Sequence, residues 1–199
     1  MPTAMKPLRL RPVPSPGHRA AGFTLIELMV TITLVVIILA MAAPSFATFR
    51  RNSELTSTAN TLLSSLTAAR SEAMKRGQPV SVAPATSDGW PSGWVVFVDL
   101  NASGTLDSGE VELSREPATP TDIAVVTGDS PEGFTASDGK VYVMFSASGY
   151  PRLSNGAFQA ASLDFRHSVS GEVRRIISSP AGRLRVCKPA DSGCSASEL

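Results

Sequence analysis

The sequence predicts an α+β chain in which one long N-terminal helix, membrane-spanning in its first half, packs on antiparallel β-sheet. Three observations carry this. Phe23 to Ala43 is a run of 21 residues with a single charge, Glu27. After Pro44, Leu55, Ala59, Leu62, Leu66, Ala69 and Ala73 recur at steps of three and four, the period of a helix with one buried stripe. From Pro79 onward, short β-type runs alternate with Gly, Pro, Ser and Asp. The chain thus divides into a leading segment 1–22, a helix 23–76 whose part 23–43 spans the membrane, and a β-rich head 77–199.

The leading segment carries Lys6, Arg9, Arg11 and Arg19 and no acid, so its removal takes the formal charge from +1 to −3. The run behind it has about the length a helix needs to cross hydrocarbon. Positive flanks stay cytoplasmic, which places the N-terminus inside and everything after Pro44 outside. An ordinary secretory signal has a shorter apolar core, with Ala40 to Ala43 as the cleavage site here. Glu27 argues against that reading, because a carboxylate costs about 3 kcal/mol near the middle of a bilayer and its retention there points to function.

The run AGFTLIELMVTITLVVIILAMAAPSF resembles the N-terminal signature of type IV pilins and pseudopilins. The resemblance implies a prepilin leader, residues 1–22, cut by a prepilin peptidase after Gly22, with N-methylation of the exposed Phe23. Glu27 then becomes the fifth residue of the mature chain. Its carboxylate pairs with the new amine, on the same subunit or a neighbour, and two charges that hydrocarbon penalises satisfy one another. Other pilins or pseudopilins, the prepilin peptidase and the bacterial inner membrane are the implied partners. The helix leaves the membrane by exchanging lipid contacts for helix contacts.

Pro44 removes one helical hydrogen bond and is expected to kink or loosen the helix. Lys75 and Arg76 in the last turn suit the helix dipole, and Gly77 followed by Pro79 supplies the stop. Strands are expected at Val80–Ala83, Trp94–Leu100, Val111–Arg115, Ile123–Thr127, Val141–Ser146, Ser162–Arg166, Val173–Ser178 and Arg183–Cys187. They form a sheet that covers the apolar stripe of the helix.

Within the head, Asp99, Asn101, Ser103, Asp107 and Glu110 stand at positions 1, 3, 5, 9 and 12 of a loop with Gly104 at 6, the spacing of a calcium-binding loop. Its flanks read as strands, and an acidic Asn/Gly/Asp-rich turn is equally what an exposed hairpin favours. Cys187 and Cys194 lack the companion ligands of a zinc site, so a disulfide in an oxidising compartment and a pair of free thiols are the two readings. No catalytic set, metal site or cofactor motif is evident. His18 lies in the leader, and His167, beside Arg166 in an expected strand, reads as a surface residue.

Residues 77–165 hold three basic residues against eleven acids, whereas 166–199 hold six against three. The later stretch VYVMFSASGYPR, ASLDF and VRRIISSPAGRLRVC resembles the GspH/FimT family of minor pilins and minor pseudopilins. The run Gly182-Arg183-Leu184-Arg185 resembles the C-terminal GRxR element of FimT-type members, some of which serve DNA uptake in natural transformation. Arg183 and Arg185 alternate and would share one strand face, with Arg174, Arg175 and Lys188 joining the same cationic edge. Such an edge suits sequence-independent contact with double-stranded DNA. Acidic patches on neighbouring subunits suit it equally, and no aromatic accompanies the arginines in the sequence to stack on bases. A FimT-like minor pilin that contacts DNA, a GspH-like pseudopilin of type II protein secretion and a purely structural minor pilin that primes assembly remain open.

Overall fold

In the computed structural model, which describes residues 22–127, 134–136 and 139–194, Thr24 opens the first element. Its Oγ1 accepts the backbone N–H of Glu27 at 3.3 Å. That bond satisfies one of the orphan donors of helix α1, Leu25–Arg76. Pro44 lies inside α1 rather than ending it. The chain divides into two compact units at the Ala43–Pro44 junction.

In the first unit the apolar helix residues are exposed among the described residues, and an 18-residue window of the helix, long and apolar enough to cross a membrane, is 0% buried. Thr31 and Thr33 turn their hydroxyls back onto the carbonyls of Leu28 and Met29 at 2.9 and 2.8 Å. The hydroxyls of these two threonines are thereby satisfied without water.

In the second unit α1 continues with the expected stripe: Leu55, Ala59, Leu62, Leu66, Ala69 and Ala73 are all fully buried. The expected antiparallel strands are present and divide into two sheets. Strands β1 (Val80–Pro84), β2 (Trp94–Val98), β3 (Val111–Glu116), β5 (Val143–Phe145) and β6 (Pro151–Arg152) form an antiparallel sheet in the order β3-β2-β1-β5-β6. Strands β4 (Ile123–Thr127), β7 (Ala161–His167), β8 (Val173–Ser178) and β9 (Leu184–Cys187) form another, in the order β4-β7-β8-β9. One apolar cluster joins the α1 stripe to Val80, Trp94, Phe145, Leu163 and Ile176, so both sheets share the helix as their base. Trp94 fixes its sheet further by donating its ring N–H to Ser65 Oγ at 3.0 Å.

All five residues of β2 are buried, including those facing away from the helix. A second cluster, with Phe97, Tyr142 and Met144, covers that outer face. Tyr142 is walled in by Gly104 (φ +72°), where an added Cβ would come within 2.3 Å of the tyrosine ring. Glycine there allows the 99–110 loop to close over the sheet.

Two corrections follow. Strand β6 was not expected, because a two-residue strand leaves no periodic signal. His167 is 1% exposed rather than on the surface. It ends β7, and its Nδ1 accepts the N–H groups of Val169 and Ser170 at 3.2 and 3.4 Å, so the tight β7–β8 turn uses the ring as an acceptor.

Candidate functional site

Two places carry the residues singled out by the sequence. At the start of α1, Phe23 is 81% exposed, and Gly22 and Glu27 are exposed as well. Thr24 and Glu27 have the Thr-x-x-Glu spacing of a capping box, so Glu27 also stands where an acid suits the positive end of the helix dipole. That local role went unread in the sequence, although the four residues display it.

The second place is the β8–β9 hairpin, and here the five expected cations part company. Arg174 turns toward α1, donating its Nε–H to Thr56 Oγ1 at 3.2 Å. Arg175, the next residue along the strand, projects to the opposite face. There its Nε and Nη2 both reach Asp164, each at 2.7 Å, with both side chains 8% exposed. A third bond, from Arg175 Nη1 to the carbonyl of Cys194 at 3.2 Å, ties in the C-terminal loop. The expectation that Arg174 and Arg175 join one cationic edge is therefore corrected: adjacent strand residues cannot share a face, and a buried bidentate ion pair holds Arg175 inside.

Cys187 and Cys194 are disulfide-bonded, closing the loop on which the exposed Lys188 sits. Arg183 is exposed. Arg185 is half-buried, with Nε and Nη2 enclosed and without a hydrogen-bond partner. The outward cations of the hairpin are thus Arg183 and Lys188, with Arg185 partly sunk between them in sequence.

The turn before Arg183 is built with care. Ser179 Oγ accepts the N–H of Arg183 at 3.0 Å, and Gly182 adopts φ +79°. Arg70 of α1 donates Nη1 to the Gly182 carbonyl at 2.7 Å. A Cβ at position 182 would lie 2.8 Å from the Gly149 carbonyl and 3.2 Å from Arg70 Cζ, so glycine is required both for conformation and for close approach. Arg70 carried no signal in the sequence; as one polar residue beside the stripe, it shows its part only when the turn docks on it.

The 99–110 loop joins β2 to β3 as a hairpin, and its acids are engaged by the loop itself. Asp99 is fully buried, accepting Ser81 Oγ–H at 2.6 Å and the N–H groups of Ser103 and Gly104 at 2.8 and 2.9 Å. Glu110 accepts the N–H groups of Leu100 and Asp107, both at 2.9 Å. Hydrogen bonds from Asn101 and then Ser103 hold the Asp107 carboxyl below its ordinary value. Among the described residues, no group of three His, Cys, Asp or Glu is placed to hold a metal ion.

Residues 58–182, well over half of the chain, match the family model described as Type II transport protein GspH. Residues 17–43 match the prokaryotic N-terminal methylation motif. No curated protein matches significantly. Among solved structures, the type IV minor pilin FimU of Pseudomonas aeruginosa is similar at 19% identity and TM-score 0.50, over 74% of this chain and 98% of that one. The minor pseudopilin EpsH of the Vibrio cholerae type 2 secretion system is 15% identical at TM-score 0.48, over 69% of this chain and 99% of that one. At such identity the likeness to FimU is one of fold.

Proposed function

This chain belongs to the Type II transport protein GspH family, a family of minor pilins and pseudopilins, and from that premise we propose that it is a FimT-like minor pilin that contacts DNA. The observation that carries the finer reading is the placement of Arg183. It is exposed at the end of a turn pinned to α1 through Arg70 and Gly182, while Arg175 is spent on an internal ion pair. An exposed guanidinium on an anchored turn, with the exposed Lys188 at the other end of β9, suits phosphate contact without reading sequence. Contacts of this kind are few per subunit, so affinity is low and strongly salt-dependent, and an array of subunits strengthens it.

In this reading the prepilin peptidase cuts between Gly22 and Phe23, Phe23 is methylated, and Glu27 pairs with the new amine during assembly from the inner membrane. The cationic leader, the methylation motif and the lone acid in the apolar run support it. The head is then periplasmic, and the role is structural and binding rather than catalytic. Intact-mass analysis of membrane-extracted protein tests the cleavage; a retained leader, or trimming near Ala43, overturns it.

The DNA contact is tested by mobility shift with the mature chain in detergent. Duplex DNA shifts at low salt, and Arg183→Ala with Arg185→Ala abolishes the shift; retained binding removes the hairpin from the account. The name of the matched family favours a second reading, a pseudopilin serving protein secretion. In that case a deletion strain loses exoprotein secretion and keeps DNA uptake.

A further inference from the structure

The sequence places no aromatic beside the arginine run, yet the fold brings the turn that precedes two aromatics against it. Strand β6 and the turn after it form a small hairpin in which Arg152 and Phe158 are bridge partners. Tyr150 and Phe158 meet edge-to-face, their ring centroids 6.1 Å apart at 89°. Arg152 lies over the Phe158 ring with Cζ 3.9 Å from the centroid. The rings are nonetheless 43% and 53% exposed, and neither belongs to an apolar cluster of the head.

The turn that leads into this cluster meets the turn that leads into Arg183. An added Cβ on Gly182 would be 2.8 Å from the carbonyl of Gly149, so the two turns meet at their glycines, and Tyr150 and Arg183 are the residues that follow each. Arg70 underlies both: it donates to the Gly182 carbonyl, and its Nε lies 3.3 Å from where a Gly149 Cβ would stand. Residues 146–160 and 178–186 contain Arg152, Arg183 and Arg185 and no acid.

The hairpin is also held in place. Leu153 N–H donates to Ala157 O at 2.8 Å and Gln159 N–H to Pro151 O at 3.1 Å. Gln159 Nε2 reaches the Tyr142 carbonyl at 2.9 Å, and Arg152 Nη1 reaches Gly156 O at 2.7 Å. The rings are therefore presented by a backbone that need not be ordered on binding.

Exposed aromatic rings with a cation stacked on one of them, on two segments that carry arginines and no acid, match the chemistry of unpaired nucleobases and their phosphates. The ring surface left open beside the stacked Arg152 accepts base faces, while Arg183 takes the backbone. Paired bases inside a duplex do not offer their faces in this way. We propose that Tyr150 and Phe158, with Arg152 and Arg183, form a stacking platform for single-stranded nucleic acid; this rests on the reading of Arg183 as a phosphate contact and adds a base contact to it.

The test uses the mature full chain in neutral detergent and fluorescence anisotropy with labelled oligothymidylate and with a duplex of equal length. The wild type binds the single strand more tightly. Tyr150→Ala with Phe158→Ala weakens single-strand binding by about tenfold, the scale of losing base stacking, and leaves duplex binding unchanged. Arg183→Ala weakens both. Photo-crosslinking of bromodeoxyuridine oligonucleotides to the wild type needs no variant, and its adducts map to Tyr150 or Phe158.

If ring removal leaves single-strand binding as in the wild type, or adducts map elsewhere, the platform falls and the Arg183 reading stands. If neither ligand binds, both fall. If the ring variant binds oligonucleotides normally but fails to enter filaments, the patch is a subunit contact and the proposal is overturned.

Discussion

The two halves of α1 share one backbone geometry and face opposite problems. From Leu55 to Ala73 a stripe of Leu and Ala is fully buried beneath two sheets of the same chain. From Leu25 to Ala43 the helix is apolar on every side and exposed on every side. Leu62 is 0% exposed, whereas Leu34 is 54% exposed. Apolar surface is costly in water wherever it lies, so the second half satisfies itself by folding and the first only by lipid or another subunit. On the reading proposed above, stability and assembly reside in different parts of one helix, and substitutions can separate them.

The largest effect is expected at Glu27. Glu27→Ala abolishes incorporation into filaments, measured in sheared fractions, and leaves the melting of the head unchanged. If assembly survives, the acid is only a helix cap and the contrast between the halves loses its functional side. Next, Arg175→Ala leaves Asp164 buried without its cation and destabilises the head by about 3–5 kcal/mol. Arg183→Ala, on the same hairpin but exposed, stays within about 0.5 kcal/mol. Equal losses for the two would return Arg175 and Arg183 to one edge.

Leu62→Ala costs about 2–5 kcal/mol in thermal unfolding of the head, while Leu34→Ala costs it nothing measurable. Reduction of the Cys187–Cys194 disulfide, which closes a short loop of sequence separation 7, lowers stability by about 2 kcal/mol. The smallest effect concerns the 99–110 loop. Its Asp107 carboxyl is held below the ordinary 3.8, so the folded loop favours the ionised form. That contribution is present above the ordinary value and lost as pH falls through the lowered one, so amide exchange in the loop rises only in strong acid.

The sequence by itself determined whatever depends on near neighbours along the chain. The apolar run, the spacing of the α1 stripe, the stop at Gly77 and most strands follow from local period and turn chemistry. The strand Val173–Ser178 has the bounds its residues predict. Of the candidate site, Gly22, Phe23, Glu27, Arg183 and the cysteine pair stand out in the sequence as residue types in a pattern, and the structure joins the cysteines in a disulfide. Composition could not reveal which arginine faces outward, because that depends on what lies across the strand. Asp164, eleven positions away, took Arg175, and Thr56, far up the chain, took Arg174.

His167 was misplaced for the same reason, since burial is set by what packs over a residue and not by its polarity. Only the tertiary structure decided that there are two sheets, that Arg70 binds the Gly182 turn, and that the turn before Tyr150 meets the turn before Arg183. Such contacts close loops across more than a hundred residues, as the Arg70 to Gly182 bond does, and a linear pattern does not register them.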